Sequence, residues 1–440
     1  MAFSRLLNRP GAARETAPRR IGPSSMDPNP KDIPMSDRIA LERRFGARNY
    51  DPLPVVLTRG EGVWLFDEEG RRYLDMLSAY SAVSFGYGHP KLLEALNDQA
   101  ARLAVTSRAF FSDRLPPFLA RLCELTGMDR ALPMSTGAEG VETAIKCARK
   151  WAYSVKGVPR DKAELIVCAG NFHGRTTTIV GLSTEPQYRE GFGPYAPGTV
   201  HIPYGDARAL ERAITPNTAA FLVEPIQGEA GIVVPPEGYL AEAARICRAH
   251  GVLFIADEVQ TGLGRTGRIL ACEHEGVKPD GLILGKALGG GLIPVSAFLA
   301  REDVMAAFRP GDHGSTFGGN ALAAAVGRAA LDVLVEENLA GRAALTGEYL
   351  QARLKSISSP VIREIRGRGL LVGMEIDTKR VTARAFVEAL ARHGVLSKDT
   401  HGTVARFAPA LVIGREEVDW AIARICDALR EYGPVYERAA

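Results

Sequence analysis

"AAFLVEPIQGEAGIVVPPEGYLAEAARICRAHGVLFIADEV", residues 219–259, holds two buried-strand patterns around one helix pattern. "AAFLVEPI" (219–226) and "GVLFIADEV" (251–259) are short apolar runs, β-branched in places and bounded by turn residues. Between them, "EGYLAEAARICRAHG" (237–251) spaces its apolar residues at helical intervals and stops at a glycine. Strand, helix, strand in that order predicts a mostly parallel sheet covered on both faces. The same strand pattern recurs in "AELIVCAG" (163–170), "GLILGKAL" (281–288) and "VSAFLA" (295–300). The expected fold is therefore α/β, and its chemistry belongs at the carboxyl ends of the strands.

Working outward, residues 85–326 are expected to form this large domain and 36–84 a segment leading into it. From 327 to 440, long helical patterns lead to "LLVGMEI" (370–376) and "GVLSK" (394–398), which predicts a smaller α+β C-terminal domain. Residues 1–35 differ in kind. "MAFSRLLNRPGAARETAPRRIGPSSM" carries five arginines and one acidic residue, a composition shared by targeting segments and by disordered tails. Met26 or Met35 could equally serve as the working start.

Composition excludes several classes. A net charge of +3 on 440 residues is too balanced for a nucleic-acid binder, which carries a basic face. No apolar run approaches the roughly 18–20 residues that span a bilayer, so no membrane partner is expected. The six cysteines are scattered without a CxxC pair, as buried free thiols of a reducing compartment would be. No HExxH or similar metal-ligand pattern occurs among the eight histidines.

Lys286 sits inside the apolar run "GLILGKALGGG" (281–291), where an ammonium is costly to desolvate. Asp257 and Glu258 end another apolar strand, where a carboxylate needs a cation. "MSTGAEGVETAIKCARKWA" (134–152) turns from small polar residues into a helix, so Ser135, Thr136, Gly137 and Ala138 stand where free N–H groups can hold an anion. Thr136 with Glu139 could instead be an ordinary capping box. A lysine amine, a strand-end carboxylate and a phosphate cradle together suit pyridoxal 5′-phosphate (PLP). Lys286 must then titrate well below the ordinary lysine value to act as a free amine. The glycines at 289–291 are read as leaving room for the cofactor ring.

At this point the chain resembles a known family. "GNFHGRT" (170–176), "VEPIQGEAG" (223–231), "FIADEVQTGLGRTGR" (254–268), "LGKALGGG" (284–291) and "HGSTFGGNALA" (313–323) are together similar to the class III, fold-type I PLP-dependent aminotransferases, in particular to those acting on ornithine. The likeness runs from residue 49 to 413. It implies that Lys286 is the Schiff-base lysine, Asp257 the partner of the pyridine nitrogen and Gln260 that of the phenolic oxygen. It implies further that Phe172 stacks on the ring and that Gly137 and Ala138 bind the phosphate. Thr316 would reach the phosphate of a second copy, which makes a homodimer, or a higher even oligomer, the expected unit.

For substrates, the resemblance implies that Tyr50 and Arg175 grip the α-amino and α-carboxylate groups of L-ornithine, with Tyr80 shaping the pocket. Glu229 and Arg406 would form a switch, paired for ornithine and open for 2-oxoglutarate, whose distal carboxylate would go to Arg175. The expected reaction is ping-pong transfer of the δ-amino group to 2-oxoglutarate. N-acetylornithine and 4-aminobutyrate aminotransfer are the alternatives within the class, and a non-catalytic binding protein is the alternative outside it. Tyr50 and Tyr80 favour free ornithine, because an acetylated amine would crowd that end. Two departures stand out: Ala410 in "RFAPAL" where the family often has a second proline, and His173 where some members have tryptophan. The expected compartment is the cytoplasm, or the mitochondrial matrix if the arginine-rich tail is a transit peptide.

Overall fold

The computed structural model describes residues 35–437. The expectations for residues 1–34 therefore lie outside the described residues. The chain divides into two units, residues 1–56 and 57–440. In the first, the helix Met35–Phe45 places Asp37 in its first turn and Arg43 and Arg44 in its last, as the helix dipole favours.

The second unit is built on a seven-stranded sheet. Across it the strands run Arg130–Met134, Ser296–Ala300, Gly281–Leu284, Leu253–Asp257, Thr218–Val223, Glu164–Cys168 and Thr199–Ile202. All are parallel except Ser296–Ala300, which is antiparallel to both neighbours. Both faces are covered, which is why the strands are continuously apolar. The pleat still sorts them: Phe221, Phe254 and Leu282 enter one core cluster, while Leu222, Ile255 and Ile283 enter the other. The helix Gly137–Trp151 seals the second face with Val141, Ala144, Ile145 and Ala148. The helix Tyr239–Ala249 seals the first with Leu240, Ala243 and Ile246. Phe221 and Phe254 meet edge to face at 5.9 Å, and truncating either to Ala would cost about 3–5 kcal/mol.

The smaller C-terminal α+β part is a four-stranded antiparallel sheet, ordered Ile362–Arg368, Leu371–Ile376, Val404–Phe407, Lys398–Thr400. The helices Ala383–Arg392 and Arg415–Arg430 belong with it. A further sheet joins Leu57–Glu61, Trp64–Asp67 and Arg72–Asp75 to Val395–Leu396, so the start and the end of this unit share one element. Among the described residues no helix is long and apolar enough to cross a membrane. All six cysteines are free, five of them buried.

Candidate active site

The parallel strands deliver their next residues to one end of the sheet. Asp257 ends its strand, Glu224 follows Val223, and Phe172 and His173 lie four and five residues beyond Cys168. Lys286 opens the short 3-10 turn after Gly281–Leu284, and the helix Gly137–Trp151 starts just beyond Met134. A cavity of about 190 Å³ occupies this end. Seven of the sequence-predicted residues line it: Gly137, Ala138, Phe172, Glu229, Asp257, Gln260 and Lys286.

Lys286 adopts φ +44°, a left-handed conformation that costs a side-chain-bearing residue about 1–2 kcal/mol. Its amine titrates below the ordinary lysine range. Burial is the main cause, the carboxylates of Glu229 and Asp257 pull the other way, and Arg406 adds to the depression. Asp257 has its partner in His173, whose Nδ1 lies 2.7 Å from Oδ2 with both side chains buried. Burial disfavours the imidazolium, but the hydrogen bond and charge of Asp257 outweigh it and leave the His173 pKa raised. The other oxygen of Asp257 accepts the Val259 N–H at 3.1 Å. Nε2 of His173 is buried with no protein partner.

Behind this pair lies Glu224, a buried carboxyl that the motif reading did not single out. It accepts the N–H groups of Phe172 at 2.8 Å and Gly228 at 3.3 Å, fastening two cavity loops together. Burial pushes its pKa up to about 7, against the pull of nearby His173. A signal existed: an acid directly after an apolar strand is the same anomaly that drew attention to Asp257. Glu258 proves to be a structural acid, turned away to accept the N–H groups of Ala271 at 2.7 Å and Cys272 at 2.9 Å.

Glu229 and Arg406, 177 residues apart, form a forked ion pair, with Nη1–Oε1 at 2.6 Å and Nη2–Oε2 at 3.4 Å. Arg406 is 1% exposed and Glu229 20%. Burial alone would raise the Glu229 pKa, but Arg406 and then Lys286 hold it below the usual carboxylate value. The guanidinium of Arg406 also lies 4.7 Å from the centre of the Tyr80 ring. Tyr80 itself sits in a run of four left-handed residues, Ser78 to Ser81, and Gln260 Nε2 donates to its carbonyl at 3.4 Å.

The capping box at Thr136 is real, and it coexists with an anion site. Thr136 Oγ1 takes the Glu139 N–H at 3.2 Å, and the Thr136 carbonyl takes that of Gly140 at 3.1 Å. The N–H groups of Gly137 and Ala138 are left for a ligand at the positive end of a 15-residue helix. A depressed amine, a carboxylate poised by a histidine, an aromatic ring and this cradle line one cavity, and together they fit PLP.

The glycines at 289–291 do not serve that cavity. Side chains there would meet Val295, Leu92 and Val83, so the missing Cβ atoms make room for protein packing. Gly290 and Gly291 have φ of +65° and +73°, which is the second reason for glycine. Ala410 is buried in the main core cluster. Arg175 is exposed, its guanidinium 5.4 Å from the Phe172 ring centre and 3.8 Å from that of Tyr188. Thr316 lies in an exposed loop beside exposed Phe317. Tyr50 belongs to the N-terminal unit, where it is exposed.

Comparison with known proteins agrees with this geometry. The model of the family "Aminotransferase class-III" matches residues 45–429. The chain belongs to the class-III aminotransferases. Among curated members it is 58% identical to the ornithine aminotransferase of Geobacillus sp. (strain WCH70) over 387 residues, 88% of this chain and 96% of that one. Among solved class-III structures, the ornithine aminotransferase from Toxoplasma gondii superposes with a TM-score of 0.90 at 46% identity, covering 91% of this chain and 95% of that one. The acetylornithine aminotransferase from Elizabethkingia anophelis reaches 0.82, also at 46% identity, covering 90% and 99%. As in other members of this class, the fold is type I, a large mostly parallel sheet with a smaller C-terminal α+β domain.

Proposed function

We propose that the chain is a PLP-dependent enzyme that moves the δ-amino group of L-ornithine to 2-oxoglutarate, giving glutamate 5-semialdehyde and glutamate in a ping-pong cycle. The observation that carries this reading is the Glu229–Arg406 pair beside Lys286. The two substrates must share one site, yet only the keto acid brings a second carboxylate. A buried arginine that is neutralised by an internal acid can serve both. The 58% identity to an ornithine aminotransferase supports the same substrate.

Lys286 would hold the cofactor through its amine, Asp257 would face the pyridine nitrogen and Gln260 the phenolic oxygen, with Phe172 against the ring. The N–H groups of Gly137 and Ala138 would hold the phosphate together with Thr316 from a second copy. When bound, PLP supplies an electron sink for the carbon that loses its amine. Lys286, whose amine burial pushes below the ordinary lysine range, would take the proton from that carbon and return it. Asp257, held in place by His173 at 2.7 Å, would stand as the hydrogen-bond partner of the pyridine nitrogen. Arg175 takes the α-carboxylate of ornithine and later the distal carboxylate of the keto acid, since a planar guanidinium can donate two parallel hydrogen bonds. Glu229 covers Arg406 in the first half-reaction and yields it in the second.

The proposal extends to a homodimer, for which the exposure of Thr316 and Phe317 leaves room, and to domain limits at 85–326 and 327–440. It places the protein in the cytoplasm, with the mitochondrial matrix as the alternative; free thiols suit either compartment. The alternative donor N-acetylornithine is the less supported one, since the acetylornithine aminotransferase is 46% identical against 58% for the ornithine enzyme. The test is single-turnover absorbance of the PLP-loaded enzyme with L-ornithine, N-acetylornithine and 4-aminobutyrate, each without keto acid. Fastest conversion to the pyridoxamine form with ornithine supports the proposal. Faster conversion with N-acetylornithine overturns the substrate, and no conversion with any donor overturns the enzyme.

A further inference from the structure

Tyr188 lies outside every motif quoted above, on the four-residue helix Pro186–Arg189. Its ring centre is 3.8 Å from the guanidinium carbon of Arg175, the closest ring contact that arginine makes. The ring also meets Phe172 edge to face, with centroids 5.8 Å apart and planes at 80°. Arg175 is thus flanked by two aromatic rings. Among the described residues no carboxylate or carbonyl takes its N–H groups, so its donors stay available while its carbon is held. An exposed arginine without such support would lose about 2 kcal/mol of rotamer freedom each time it gripped a carboxylate. Tyr188 is half-buried, and the charges of Glu229 and Arg406 reach its hydroxyl as well as that of Arg175.

We propose that Tyr188 is the positioning residue that sets Arg175 for carboxylate recognition, and so fixes the affinity for both substrates through one ring face. The inference rests on the carboxylate role given to Arg175 above. Because ornithine and 2-oxoglutarate both place a carboxylate on Arg175, loss of the ring must weaken both. This separates Tyr188 from the Glu229–Arg406 pair, which distinguishes the two substrates. The effect acts equally on bound substrate and transition state, so it enters KM and leaves kcat.

The experiment compares holoenzyme variants Y188L, Y188F and R175Q with the wild type, reading KM and kcat for L-ornithine and 2-oxoglutarate and the thermal midpoint. For Y188L, both KM values should rise about two- to five-fold, the worth of a cation–π contact on an exposed arginine, with kcat and midpoint little changed. Y188F keeps the ring and should return both KM values to near wild type. R175Q should raise both at least as far as Y188L. If R175Q acts and Y188L does not, Tyr188 is packing only and the proposal falls alone. If Y188F behaves like Y188L, the hydroxyl acts and the ring-face mechanism is overturned. If R175Q leaves both KM values unchanged, the carboxylate role of Arg175 fails and takes the proposal with it.

Discussion

Replacing Glu229 by Gln removes the charge that neutralises Arg406 while keeping the shape of the side chain. On the proposed switch, 2-oxoglutarate has to displace a carboxylate held at 2.6 Å and 3.4 Å by a guanidinium that is 1% exposed. Close charge pairs of this kind couple by about 1.5–7 kcal/mol. Glu229 is 20% exposed and borders the cavity, so water can partly replace the lost partner and the low end applies. An internal competitor weaker by about 1.5–3 kcal/mol lowers the KM for 2-oxoglutarate about ten- to a hundred-fold. L-Glutamate, which carries the same two carboxylates, should become a better donor by a similar factor. Ornithine should suffer, because its site then contains an uncompensated cation. The assay is single-turnover absorbance of the loaded enzyme with each donor, combined with the steady-state KM for the keto acid. An E229Q enzyme that loses ornithine affinity without gaining any for 2-oxoglutarate would refute the reasoning, since Glu229 would then be a substrate ligand and not a competitor.

A methyl group at Gly228 would lie 1.6 Å from Oε1 of Gln260. That atom ends a flexible side chain, so G228A should fold with a near-native thermal midpoint but with the Gln260 amide displaced; a shifted cofactor absorbance with unchanged stability is the expected readout. Glu224 has a folded pKa of about 7 against an ordinary 4.5, so the folded state holds its proton more tightly than the unfolded state. The stability this gives is fully present below about pH 4.5 and fades as pH rises through 7, by up to about 3 kcal/mol. E224Q, neutral throughout, should show a thermal midpoint that gains on the wild type across that window; parallel midpoint–pH curves would count against the buried carboxyl. Lys286→Met, finally, should abolish transamination while stabilising the cofactor-free protein near pH 7, because a buried amine with a depressed pKa costs most where the unfolded chain is protonated.

The sheet and half of the site were legible for one reason. Apolar runs long enough for a strand, interrupted by a charge at the end, are visible one residue at a time. Lys286 and Asp257 announce themselves in this way, and Glu224 would have done so under the same rule. Pairings across long separations are not visible. His173 and Asp257 are 84 residues apart and Glu224 and Phe172 are 52 apart; only the motifs' resemblance linked Glu229 to Arg406. The reversed direction of Ser296–Ala300 did leave a trace. Residues 285–295 are too few for the crossover of a dozen or more residues that a parallel neighbour needs. The glycines at 289–291 were misread because composition cannot tell room for a ligand from room for Leu92 and Val83. The left-handed run from Ser78 to Ser81 contains no glycine at all. Asp75 holds its start, accepting the N–H groups of Leu77 at 2.9 Å and Ser78 at 2.8 Å, and its other oxygen takes the Tyr87 hydroxyl at 2.6 Å.

The same contacts decide how the pair between Glu229 and Arg406 can open. The carbonyl of Glu229 accepts the Thr400 hydroxyl at 2.5 Å, and that of Gly231 accepts Arg366 at 2.7 Å and 3.0 Å. Thr400 and Arg366 belong to the C-terminal sheet whose strand Val404–Phe407 carries Arg406. The backbones of the two partners are therefore tied into one assembly, and a loop swing would break three hydrogen bonds to release one ion pair. Rotation about the Glu229 side chain breaks none of them. It costs the pair and the side-chain hydrogen bond that Gln260 makes to Glu229, and on the proposed switch the incoming carboxylate replaces the pair on Arg406. Rotamer changes of this kind are far faster than a typical turnover of about 10 s⁻¹. An enzyme that must alternate between two substrates in every cycle can then change specificity without a rate-limiting conformational step.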